Sequence, residues 1–230
     1  MLPVLIVTTP LPVAIALTAV LHFFNNLIKA GVLFKSIDVK TVLLFGLPAL
    51  FGSFFGSWLL VSLIDVPPLV TYEILGQAFL IELVKILIGL LLIGLGVVRI
   101  QSLYDFSSVD PKWLPVGGLA SGFFGGISGI QGALRSGFLI NLNLGKSRYI
   151  ATGACIAALV DAARLIVYGI GFYHLFEAIA PSLLAVIFVS GLLGILTGVF
   201  FLKKITLSLL RTVISVLLFV FGLALCAGLL

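Results

Sequence analysis

The chain has 230 residues, 62% of them hydrophobic and only 9% charged, with a net charge of +5. A water-soluble domain covers its surface with about 25% charged residues, so this composition excludes one and leaves a chain whose surface meets hydrocarbon. The basic excess falls between apolar runs and forms no basic and aromatic patch, which sets nucleic acid aside as a partner.

A helix needs about 20 apolar residues to cross a bilayer. By that ruler seven segments, lettered A to G, follow the N-terminal stretch MLPVLIVTTPLP. They cover roughly 11–34, 41–64, 77–101, 114–143, 147–172, 180–201 and 206–228. Asp65, Pro67, Pro68, Asp110 and Pro111 mark turns between them. No linker or soluble domain interrupts the run, so residues 1–230 read as a single all-α, polytopic membrane domain. Cys155 and Cys226 lie far apart inside apolar segments, and His22 and His174 have no metal-ligand spacing, so no disulfide, metal or cofactor is expected.

Segment D is unlike the rest, with glycines at 117, 118, 122, 125, 126, 129, 132 and 137. Each costs about 1 kcal/mol against alanine in a helix interior. The density fits either a broken helix or a close-packed one. Loop charge separates the two. Lys35 and Lys40 stand between A and B, Arg99 and Lys112 between C and D, Lys146 and Arg148 between D and E, and Lys203 and Lys204 between F and G. The B–C loop carries Asp65 and Glu73, and the E–F region His174 and Glu177, without lysine or arginine. Only if D enters and returns on one side do all the basic loops face the cytoplasm. D is therefore expected to be re-entrant.

That choice makes A–C and E–G two inverted repeats of three spans, residues 1–101 and 114–230, a plan used by secondary transporters. Asn26 and Lys29 in A match Asp161 and Arg164 in E. Gly52 and Gly56 in B match Gly194 and Gly198 in F, and Lys85 opens C as Arg211 opens G. The counterpart of D would precede A, where only MLPVLIVTTPLP stands, so the first repeat is expected to lack part of its re-entrant element.

The run GFFGGISGIQGALRSGFLI in D resembles the glycine-rich signature of the sulfite exporter TauE/SafE family, broadly G-F-x-x-G-x-x-G-x-G-G-G followed by P-x-L. Gly122, Phe123, Gly126, Gly129 and Gly132 fall on family positions. Gln131, Ala133 and Phe138 depart from it, and Pro3 and Leu5 resemble the P-x-L end of a first signature. The resemblance implies a multi-pass transporter of the plasma (inner) membrane, often for sulfite or organosulfonate-type anions.

A break in D would aim the N-terminus of its returning half at the membrane midplane, where free N–H groups and the positive dipole end attract an anion. Arg135 lies one turn further on and needs a partner or a wet cavity, since a buried arginine costs about 2.5–3.5 kcal/mol on insertion scales. It either contacts substrate or pairs with Asp161. Asp161 and Arg164 share a helix face, as do Asn26 and Lys29. The first pair is either an internal ion pair or a site with a proton-coupling acid. Asn25 and Asn26 can bond across helices, and Glu82 with Lys85 reads as an interfacial ion pair. The candidate substrate-binding set is Asn26, Ser128, Gly129, Gln131, Gly132, Arg135, Ser136, Asp161 and Arg164.

No hydrolase or phosphate-binding motif is present, so an enzyme is not expected. The expected function is a secondary transporter exporting a small anion by alternating access around a midplane site formed by D, E and A. The alternatives are an anion channel of the same fold and a non-transporting membrane subunit or assembly factor. The expected partners are the anion and the lipid bilayer, with monomer and homo-oligomer both left open.

Overall fold

The computed structural model describes residues 9–101, 110–140, 142–171 and 207–230, together with Leu5, Val186, Val189, Ser190 and Leu193. Most of segment F, the basic F–G loop and most of the N-terminal counterpart of D lie outside the described residues. Helix α1 (Leu11–Val32) opens at Pro10, with a second proline in its first turn, where the missing N–H would have had no partner anyway. Asp38 caps the next helix, α2 (Val39–Ile64), by accepting from the Thr41 N–H at 3.1 Å. The Thr41 hydroxyl beside it holds the Asp38 carboxyl below the usual carboxylate range. Inside α2, Val42–Gly46 form a π turn in which the Leu47 N–H reaches back to the Val42 carbonyl. Pro48 follows and has no N–H to offer, and the wider turn absorbs its ring.

A hairpin comes next, with β1 (Val70–Ile74) antiparallel to β2 (Gln77–Ile81). Leu75 and Gly76 form its two-residue turn, both at positive φ, as the twist of a tight hairpin requires. Helix α3 (Leu83–Gln101) follows, then α4 (Leu114–Ser128), α5 (Gly132–Ile140), α6 (Lys146–Gly171) and α7 (Leu207–Cys226). The protein is mostly helical, but segment C starts at Leu83 and not at 77. Residues 77–81 are a strand, because a five-residue apolar run carries no period that separates helix from strand. Glu82 and Lys85 do pair, at 3.5 Å.

Glycine decides the packing. Helices α2 and α4 run parallel with their backbones in contact. A Cβ at Gly118, Gly122 or Gly126 would overlap the carbonyl of Phe45, Ala49 or Ser53, and one at Gly52 or Gly56 that of Leu119 or Phe123. Gly52 and Gly56 are thus packing positions; Gly194 and Gly198, their expected repeat counterparts, lie outside the described residues. Helix α6 runs parallel to both, with Ser53 Oγ donating to the Val160 carbonyl at 2.9 Å and Gly171 against Val61. Helix α1 lies antiparallel on α6, and α3 antiparallel on α7 through Gly89, Gly96 and Gly222.

The outer face of α2 carries Phe51, Phe54, Phe55 and Trp58, all exposed, while its inner face is Ala49, Gly52, Ser53, Gly56 and Ser57. Small residues inside and large apolar ones outside suit a helix solvated by lipid. Among the described residues, α1, α2 and α6 are long and apolar enough to cross a membrane, and shorter apolar helical stretches cover Leu83–Val97 and Thr212–Cys226.

Candidate functional site

Segment D is broken. Helix α4 stops at Ser128 because Gly129 takes φ +75°, a left-handed conformation that side-chain-bearing residues avoid. Ser128 stabilises the turn, its hydroxyl donating to the Phe124 carbonyl at 2.8 Å and accepting from the Ile130 N–H at 3.2 Å. Helix α5 then folds back along α4. Ser121 Oγ donates to the Gln131 carbonyl at 3.2 Å, and Phe138 lies against Gly117 near the start of α4. Helix ends leave carbonyls without helical partners. The Gly126 carbonyl receives hydrogen bonds from both Ser57 and Tyr168.

Against this break sits a buried polar cluster built by three elements. Asp161 and Arg164, both 0% exposed, form an ion pair at 2.9 Å on α6. Asn26 of α1 donates to the other Asp161 oxygen at 3.3 Å, and Gln131 from the break donates to Asp161 and to the Ala157 carbonyl, each at 3.4 Å. The Arg164 guanidinium packs beside Gly129, lies 5.5 Å from the centre of the Tyr168 ring and reaches the Ile15 carbonyl at 3.5 Å. Three donor contacts on one carboxylate, together with the cation–π contact, offset what burying two charges costs.

Next to the cluster, toward the start of α6, is a cavity of about 180 Å³ lined by Asn26, Lys29, Arg135, Ser136, Tyr149 and Gly153, with Leu139, Ile150 and Ala154. That is room for several water molecules or a small hydrated ion. Among the described residues, Arg135 Nη1 is buried there without a hydrogen-bond partner and no carboxylate lines the space.

Of the candidate residues, Asn26, Arg135 and Ser136 line the cavity. Asp161, Arg164 and Gln131 form the cluster beside it, joined to it by Asn26. Ser128 and Gly129 build the turn, and Gly132 opens α5 facing open space. Lys29 and Tyr149 were missed as lining residues. Lys29 could have been found, three residues from Asn26 on one face; nothing local in the sequence marks Tyr149. Asp161 forms its ion pair with Arg164, and Arg135 feels it only at longer range, so that Arg135 Nη1 stays without a hydrogen bond beside the cavity.

A lipid-facing helical protein in which a broken helix abuts a buried charge cluster and a cationic cavity has the parts of a membrane transporter. The family model for sulfite exporter TauE/SafE matches residues 1–225, and the chain belongs to that family. It is thus an exporter-type membrane transporter. No curated protein and no solved structure matches it.

Proposed function

We propose that the protein is a secondary transporter of the plasma membrane that exports a small oxyanion, sulfite or an organosulfonate-type anion, by alternating access. The observation that carries this reading is the buried, unpartnered Nη1 of Arg135 in a cavity without a carboxylate. An arginine fork left open at membrane depth is costly unless an anion fills it. Domain plan and topology follow from the same reading. D is a re-entrant hairpin, and both of its ends lie where α2, α4 and α6 begin, beside Lys40, Lys112, Lys146 and Arg148. The β-hairpin, with Glu73 in its first strand and Asp65 shortly before it, occupies the opposite, external end. The antiparallel pairs α1–α6 and α3–α7 are those that an inverted repeat would relate. The cavity opens toward the basic end, where Lys29 is exposed, as in a transporter caught facing the cytoplasm.

The test is uptake by proteoliposomes against a panel of sulfite, sulfonates and halides. Saturable oxyanion uptake is expected, driven by the membrane potential or by protons. It should fall at least about tenfold in Arg135→Gln, the loss of one charge-assisted contact worth about 1.5–3 kcal/mol. Arg135→Lys should lose more for oxyanions than for halides, because an ammonium has no fork. Non-saturating flux would favour a channel, and no flux without an added partner a non-transporting subunit.

A further inference from the structure

The cavity's charge balance points to a residue that sets which anions it prefers. Two cations, Arg135 and Lys29, line it, and none of its described lining residues is an acid. The ion pairs among the described residues are Lys85–Glu82, Lys112–Asp110 and Arg164–Asp161, so neither cavity cation has a partner there. Asp161 is bonded to Asn26 of the cavity wall and ion-paired to Arg164, and its field also reaches Arg135. Among the described residues, the cavity wall therefore carries two positive side chains and no carboxylate, beside an ion-paired cluster. Lys29 stands one turn beyond Asn26 on the same face of α1, at the exposed mouth, while Arg135 is deeper. Ser136, Asn26 and Tyr149 add neutral hydrogen-bonding groups to the wall.

Granting that the cavity binds anions, we propose that Lys29 is its second cationic ligand and matches it to a doubly charged oxyanion over a singly charged one. Coulomb energy scales with the product of the charges, so each cation attracts a dianion twice as strongly as a monoanion at the same place. A monoanion would leave one positive charge unneutralised in a half-buried space. A lysine placed at the mouth only to reach water would have no such preference to impose.

Sulfate and methanesulfonate separate the two cases, since they share a sulfur–oxygen head and differ in charge. Their affinities would be measured by calorimetry at pH 8 and constant ionic strength, on the purified full chain and on K29Q, K29R and K40Q. Lys40 is exposed at the same end of the molecule and does not line the cavity. Wild-type protein should bind sulfate more tightly. K29Q should weaken sulfate about 30-fold and methanesulfonate about fivefold, the near-doubling on a logarithmic scale that Coulomb's law gives. K29R should keep the preference, and K40Q should change neither affinity. K29M, which retains the apolar stem, is a second neutral variant judged by the same ratio. Equal weakening of both anions in K29Q, or effects no larger than those in K40Q, would overturn the role of Lys29 while leaving the anion cavity standing. Wild-type protein that binds neither anion would overturn the cavity reading itself, and this inference with it.

Discussion

Two arginines within the same few turns of structure live under opposite conditions. Arg164 is fully buried and held by a carboxylate, a carbonyl and an aromatic ring, whereas Arg135 keeps a buried nitrogen open beside a cavity. Removing the partner of a buried charge costs about 3–5 kcal/mol, because the remaining charge stays out of water. Asp161→Asn should therefore destabilise the protein more than Asp161→Asn with Arg164→Gln. A thermal-unfolding double-mutant cycle should give a coupling of at least about 1 kcal/mol for that pair, and a smaller one for Asp161 with Arg135, which interact only at longer range. The reverse ranking would mean that Asp161 serves the cavity cation. In the sequence the pairing could be read only as a choice. The spacing of three puts Asp161 and Arg164 on one face, but the approach of Arg135 from another element is a tertiary fact. Gln131 was visible as a departure from the family's glycine run. Its bond to Asp161 was not, because side-chain reach depends on the angle at which the break turns the chain.

At the scale of elements, the glycines of α4 have two distinct duties. Gly118, Gly122 and Gly126 let α2 approach to backbone contact, while Gly129 alone needs the left-handed conformation. Composition marked the density, and the division of labour needed the partner helix. Gly122→Ala should lower stability by about 1–3 kcal/mol, since its Cβ would meet the Ala49 carbonyl and neither backbone can retreat. Gly94→Ala, with nothing within 4 Å of the added Cβ, should be neutral or stabilising by up to about 1 kcal/mol. Melting temperatures of the two variants in the same detergent make the comparison, and equal losses would refute the backbone-contact account. The start of α3 was the element least legible in the sequence. Gln77–Ile81 is apolar enough to extend a span, and the cue for a strand was the Leu75-Gly76 turn, in which only the glycine is a usual turn residue.

For the whole molecule, the positions of Lys112 and Lys146 carry the topology. With both native cysteines replaced, single cysteines at 112 and 146 should resist a membrane-impermeant thiol reagent added outside, while one at Leu75, fully exposed at the hairpin tip, should react. Reaction at either 112 or 146 would mean that D crosses the bilayer. Loop charge alone suggested this arrangement; the parallel run of α2, α4 and α6 adds an independent reason, since three helices leaving one end require the chain to come back between α4 and α6. The hairpin belongs to the same picture through its far contact. Tyr72, stacked on Phe79, donates its hydroxyl to the Ala227 carbonyl at 2.5 Å across 155 residues of chain, and Gly228 lies against the Leu80 carbonyl. A ribosome adds about 5–20 residues per second, so this hairpin waits about 8–30 s for the partner that fastens it. During that wait the hairpin lacks its contacts with Ala227 and Gly228, and α3 lacks its packing against α7, until the last helix arrives.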